Sequence, residues 1–144
     1  MIKLNKKGFT LVELLAVIVI LALLMVVATR TIGGSLSKSK EAAIETEAQK
    51  MVSRTLEDIQ SYTLSPTEYP NFTYSSTSVA AAITAKKVQL SDGNYNAVIT
   101  IDDKTSTMTK ICIDDGQSLK YEGTIENGSN IKDLKKAATF AACS

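Results

Sequence analysis

Apolar and polar positions along the chain follow three successive patterns. From Phe9 to Ala28 nearly every residue is apolar, and Glu13 is the one strongly polar member. A membrane-spanning helix needs about 20 such residues at 1.5 Å each, so this stretch is long enough to span. Gly33-Gly34 follows; two glycines cost a helix about 2 kcal/mol relative to alanine, and a bend or local melting is expected there. From Ser35 to Tyr62, apolar residues recur at three- and four-residue steps: Ile44, Ala48, Met51, Val52, Leu56 and Ile59. That spacing predicts an amphipathic helix. Its other face carries Glu41, Glu45, Lys50, Arg54, Glu57 and Asp58, expected in water. The helix should stop before Pro66, because the residue preceding a proline disfavours helical angles.

Beyond it the period changes to two. Ser65 to Ser78 is rich in Ser, Thr, Pro and Tyr and reads as an irregular connector. Ser78 can cap a short helix from Val79 to Lys87, with Ala80-Ala81-Ala82-Ile83 as its packing face. Tyr95 to Asp102 alternates, with Tyr95, Ala97, Ile99 and Ile101 on one face. Thr107 to Ile113 alternates, with Ile111 and Ile113 on one face and Met108, Lys110 and Cys112 on the other. Ser118 to Ile125 gives a further strand, with Leu119, Tyr121 and Gly123 on one side. Asp102-Asp103-Lys104, Asp114-Asp115-Gly116 and Asn127-Gly128 supply the turns. Ile131 to Phe140 is expected to be a short helix crossing the sheet face that carries Cys112. The expected fold class is α+β: a long N-terminal helix packed on a small antiparallel sheet of about three to four strands.

Charge fixes the orientation of the apolar stretch. Lys3, Lys6 and Lys7 precede it without an acid, so the positive-inside bias places this end in the cytoplasm and the rest outside. Arg30 sits where a long side chain snorkels to the outer interface. With 144 residues and a net charge of +1, little more than one modest external domain fits, and bulk electrostatics demand no acidic or basic partner. The chain has no His, which removes the commonest general base and metal ligand. No nucleophile–base pair, ligand spacing or phosphate loop stands out, so no enzyme activity, cofactor or resident metal is expected.

Glu13 is the residue an ordinary anchor does not explain. A carboxylate inside a bilayer costs a few kcal/mol at depth and less near the edge. A secretory signal peptide is a poor alternative: the apolar run is too long and Thr29-Arg30-Thr31 is a poor cleavage site. A plain single-span anchor is the stronger one, but it leaves Gly8 and Glu13 without a purpose. Lys6-Lys7-Gly8-Phe9-Thr10-Leu11-Val12-Glu13 resembles the N-terminus of type IV prepilins and their pseudopilin relatives. The resemblance lies in a short basic leader ending in Gly8, the aromatic Phe9 next, and Glu13 at the fifth position after the cut.

The resemblance implies a pilin-like fold and a defined life history. A prepilin peptidase would cut between Gly8 and Phe9 and methylate the new Phe9 amine. Residues 1–8 would be a cleaved leader, 9–34 a helix serving as membrane span and then filament core, and 35–144 an extracytoplasmic head. Glu13 would pair with the Phe9 ammonium of a neighbouring subunit. Desolvation offsets much of such an attraction, so its better use is to fix the axial register of packed helices. The implied partners are further copies in a helical filament, minor pilins, the peptidase, an assembly platform and its ATPase, and the membrane before assembly. The implied location is a single pass through the cytoplasmic membrane, then a surface filament for adhesion, motility or DNA uptake. A pseudopilin of a type II secretion or competence system is the alternative, and a non-polymerising anchored binding module is a third.

Cys112 and Cys143 both fall in the external part, where an even count favours a disulfide. Its loop would stabilise by about 3.7 kcal/mol in the chain-entropy account. Two unpaired thiols are the alternative. Asp102, Asp103, Asp114 and Asp115 raise calcium as a lesser reading, although Asp-Asp-Gly is a common turn and no known loop spacing is met. Lys86-Lys87, Lys135-Lys136, Tyr62, Tyr69 and Tyr74 carry the group types that bind nucleic acid, but they are scattered along the chain.

Overall fold

A computed structural model describes residues 10–139. It contains a helix α1 (Leu11–Leu64), a short helix α2 (Val79–Ala85) and five strands, β1 (Lys87–Asp92), β2 (Tyr95–Ile101), β3 (Met108–Asp114), β4 (Lys120–Glu126) and β5 (Asn130–Lys136). The strands form one antiparallel sheet in sequence order, a meander. The protein is therefore α+β with a long N-terminal helix packed on an antiparallel sheet, as the patterning implies, with one or two strands more than expected. The chain divides into two compact units, Met1–Lys40 and Glu41–Ser144.

In the second unit, the predicted apolar stripe of α1 is the one that packs. Ile44, Ala48, Met51, Val52 and Ile59 are buried, and Leu56 packs partly buried beside them. They meet Ala97, Ile99 and Ile101 from β2, Ile111 and Ile113 from β3, and Tyr121 and Ile125 from β4. The helix ends at Leu64, short of Pro66. Asp58 corrects the reading of the charged face. It is only 6% exposed, and its two oxygens accept from the Thr73 backbone N (2.7 Å) and Thr73 Oγ1 (3.0 Å). The connector is thereby tied to α1, with Phe72 buried next to the tie.

Other expectations need correction. Gly33-Gly34 does not melt the helix; α1 is helical through both. Helix propagation is cooperative, so two weak positions inside a run with well-formed turns on both sides lower stability without ending it. Helix α2 is capped by Ser78, whose side chain accepts from Ala81 N at 3.1 Å; of the expected packing face Ala82 is buried and Ile83 packs partly buried, with Val79 buried beside them, while Ala80 and Ala81 are exposed. It stops at Lys86, a C-cap in the left-handed region (φ 60°), and Lys87 belongs to β1, a strand the sequence reading left out.

Two bulges explain the remaining departures. Thr100 pairs with Lys110 but Ile101 pairs with Met108, leaving Thr109 unpaired. That extra residue turns Met108 onto the core face, where it is buried, instead of onto the face of Cys112. On β5, Glu122 pairs with Lys135 and Thr124 with Lys132, so Gly123 opposes both Asp133 and Leu134. Asp133 absorbs the extra residue at φ 54°. Ile131 and Leu134, three apart, then both pack against the core. The segment expected to be a helix from Ile131 to Phe140 is thus a bulged edge strand over 130–136. Gly123 makes room for it: a Cβ there would lie 3.0 Å from Ile131 Cγ2 and 3.2 Å from Leu134 Cδ1.

Candidate processing and assembly site

In the first unit, α1 opens on a reciprocal cap. Thr10 donates to Glu13 Oε2 through its backbone N (2.8 Å) and its Oγ1 (2.8 Å), and Glu13 N donates back to Thr10 Oγ1 (3.3 Å). Leu14 N begins the helical ladder on Thr10 O at 3.2 Å. This is a capping box, with Thr at the N-cap and the acid at the third helical position. The carboxylate also faces the partial positive charge of the helix start. Thr10 was passed over in the sequence reading. The pattern Thr-x-x-Glu ahead of an apolar run could have revealed it.

The helix that follows presents apolar surface on every side. From Leu11 to Val27 the large apolar side chains are between 50% and 81% exposed. A helix hydrophobic all round belongs inside lipid or inside other protein. Among the described residues, α1 is the helix long and apolar enough to cross a membrane. Gly8 and Phe9 lie outside the described residues, so the expected cleavage and methylation positions have no described geometry; among the expected site residues Glu13 does, as does Cys112 in the second unit.

In the second unit, Cys112 lies on the face of the sheet opposite the core, paired across strands with Val98 and Glu122. It is nonetheless fully buried. Cys143 lies outside the described residues.

The turn acids are occupied with the backbone. Asp102 Oδ1 accepts from Lys104 N (2.9 Å), Thr105 N (3.0 Å) and Thr105 Oγ1 (3.1 Å). Asp115 Oδ1 accepts from the N atoms of Gln117, Ser118 and Leu119 at 2.9–3.0 Å. The Thr105 backbone bond first, and the Leu119 bond first, hold these two carboxyls below the usual range. The turn at 114–116 also needs a glycine. Gly116 adopts φ +68°, and a Cβ there would lie 2.9 Å from Asn94 O. Among the described residues no group of three or more Cys, Asp or Glu is arranged to hold a metal.

The lysines scattered in sequence are partly gathered by the sheet. Lys87, Thr100, Lys110, Thr124 and Lys132 form one cross-strand row on the face away from the core. Acids interleave with them: Lys132 pairs with Glu126 at 3.0 Å, and Asp114 and Glu122 share that face. Tyr62 and Tyr74 instead pack against the core. Lys50 lies over the Tyr74 ring (5.5 Å) and pairs with Asp92 and Glu47. Those bonds, that to Asp92 foremost, hold its ammonium above the usual lysine range. They link α1 to β1.

No curated protein and no solved structure matches the chain. A family model does match its N-terminus. Proteins bearing that motif are structural rather than enzymatic. Residues 3–29 carry the prokaryotic N-terminal methylation motif, the signature of type IV pilins and pseudopilins.

Proposed function

We propose that this chain is a structural subunit of a type IV pilus or related filament. It is cut after Gly8 by a prepilin peptidase, methylated at Phe9, and polymerised through α1. The observation that carries this reading is the Leu11–Val27 segment: exposed apolar side chains all around, a lone carboxylate at its start, and a methylation motif across it. In the cell that surface must be covered. Lipid covers it before assembly, and neighbouring copies of the same helix cover it afterwards. Burying apolar area is worth roughly 25 cal/mol per Å², but lipid is as apolar as leucine. Packing and charge compensation therefore decide the transfer from membrane to filament.

In this reading Glu13 meets the Phe9 ammonium of a neighbour, and the head from residue 35 onward stays outside the membrane. A disulfide from Cys112 to Cys143 ties the C-terminal segment to the outer sheet face; the burial of Cys112 on that face favours it. Adhesion, motility and DNA uptake are the roles open to such a filament. A secretion or competence pseudopilin would use the same helix and the same processing. The interleaved acids on the lysine-bearing face give nucleic acid no surface of single sign.

The test is mass spectrometry of the N-terminal peptide from material sheared off native cells. A peptide beginning at methylated Phe9 is expected in the sheared fraction. An intact Met1 terminus confined to the membrane fraction would refute the reading and leave the anchored module.

A further inference from the structure

The stretch of α1 beyond the apolar run carries an unbalanced charge. Between Glu13 and Glu41 the sequence holds no acid, while Arg30, Lys38 and Lys40 are basic. Lys38 and Lys40 are exposed, and among the described residues neither forms an ion pair. Two residues apart on a helix, they project about 200° apart, to nearly opposite sides. A protein docked on one flank of the helix would reach one of them. A layer that the helix passes through reaches both. Helical side chains also lean toward the N-terminus of their own helix, which here is the membrane side. Lys38 and Lys40 stand roughly 15–18 Å beyond Ala28 along the helix. A headgroup layer of about 5–7 Å covers part of that height. Backward-leaning lysine stems and a Debye length of about 10 Å close the remainder. Leu36, 57% exposed between the apolar run and these lysines, gives the segment the mixed character of an interface.

We propose that Lys38 and Lys40 bind anionic lipid headgroups of the outer leaflet, gripping the membrane where α1 leaves it. The inference rests on the reading of α1 as a membrane span. It holds for a filament subunit before assembly and for an anchored module alike. Each ammonium near an anionic surface adds an attraction that fades within a Debye length and weakens with salt. A zwitterionic headgroup has no net charge and gives no such field, so the pair selects lipids by charge. Cleavage after Gly8 would remove Lys3, Lys6 and Lys7 from the inner end of the span. The outer bases would then hold the processed chain at its depth.

The experiment places the full chain in nanodiscs of equal phosphatidylglycerol and phosphatidylcholine at low salt. Native mass spectrometry then counts the lipids that each chain retains. Resistance to alkaline extraction from vesicles first establishes that the chain is integrated. The wild type should retain phosphatidylglycerol in preference. Lys38→Gln and Lys40→Gln should each cut that preference roughly fivefold, the equivalent of about 1 kcal/mol. The leader lysines are present in every variant, so the difference reads this pair alone. Lys38→Arg with Lys40→Arg should keep the wild-type preference, and salt at about 0.5 M should erase most of the difference. Equal preference in the wild type and the double Gln variant would overturn the assignment. So would a loss that the double Arg variant shares, because charge would then not be its cause. A double Gln variant that keeps the lipid preference yet enters sheared filaments less often would give these lysines to a neighbouring copy, and overturn it as well. A wild-type chain that alkali extracts would instead sink the membrane-span reading, and this inference with it.

Discussion

Replacing Asp58 separates a solvated helix face from a buried tie. Asp58 sits among charged residues in sequence, and a surface substitution there would change stability by no more than about 0.5 kcal/mol. The structure says otherwise. Asp58 is only 6% exposed, and its carboxylate accepts from both the backbone N and the hydroxyl of Thr73. That hydroxyl also accepts Arg54 Nε at 3.0 Å. Asp58→Ala leaves the Thr73 N–H without its acceptor, which costs about 1–3 kcal/mol, and removes a second bond to a charged group. Together with the small void, a loss of about 2–3 kcal/mol is expected. For a unit of this size each kcal/mol moves Tm by roughly 4–8 °C, so a fall of about 10–20 °C should follow. Asp58→Asn keeps one carbonyl oxygen for the Thr73 N–H, and its amide can donate to the hydroxyl, so about half the loss should return. The assay is thermal unfolding of the full chain in detergent, read from the tyrosine near-ultraviolet signal, with hydrogen exchange over residues 66–78. A Tm for Asp58→Ala within 3 °C of wild type, roughly 0.5 kcal/mol on the same scale, would refute the buried tie; so would unchanged exchange in that segment.

Further outcomes follow from other contacts. Asp102 and Asp115 have folded pKa values below their unfolded ones. The unfolded chain therefore binds protons first as pH falls, and the stability these groups add is present above an unfolded pKa of about 3.9 and lost as pH falls through the folded values. Unfolding midpoints between pH 6 and 2 should drop less steeply in Asp115→Asn than in the wild type, and equal slopes would count against the turn contacts. Gly34→Ala should stabilise α1 by about 1 kcal/mol, because a Cβ there meets nothing within 4 Å; slower amide exchange around residue 34 checks it. Cys112→Ser should free the C-terminal segment, seen as faster proteolysis near Phe140, if the proposed bridge forms. Cleavage at the wild-type rate under non-reducing conditions would argue that it does not.

The parts of the fold legible in the sequence are those whose burial pattern keeps a constant period. Ala97, Ile99 and Ile101 alternate without interruption, and so do Ile111 and Ile113, so β2 and the later part of β3 could be read directly. The stripe of α1 was equally plain. Where a bulge inserts one residue, the period becomes three, and three is also the spacing of a helix face. Ile131 and Leu134 show that spacing within the segment expected to be a helix, and Met108 was assigned to the wrong face because Thr109 takes no partner. A left-handed residue such as Asp133 leaves no signature in a hydrophobic pattern. Asp58 was hidden for a different reason: a charged residue on a polar stripe gives no hint that a distant Thr73 will satisfy it. β1 was lost because Lys87-Val88-Gln89-Leu90 offers only two apolar residues after an alanine-rich helix.

The candidate site divides along the same physical line. Glu13 was conspicuous because its surroundings penalise it, and a penalised residue calls for a reason. Thr10 was not, since a threonine near a helix start is unremarkable until its partner is located. The cap makes the two residues one unit. With Thr10 in place, the chain itself satisfies one oxygen of that carboxylate. The apolar surface from Leu11 to Val27 cannot be completed by the subunit in that way, because every side of that helix is exposed. The polar start of the helix is thus partly satisfied within one chain, while its apolar length is not. Mutations at the cap should therefore have little effect on whether the head folds, since its buried core lies in the second unit. Mutations such as Asp58→Ala should weaken the head while leaving the Thr10–Glu13 pair intact. A Thr10→Val chain whose head unfolds at the wild-type temperature, beside an Asp58→Ala chain whose head does not, would show the two effects apart; a Thr10→Val head that melts several degrees lower would refute that separation.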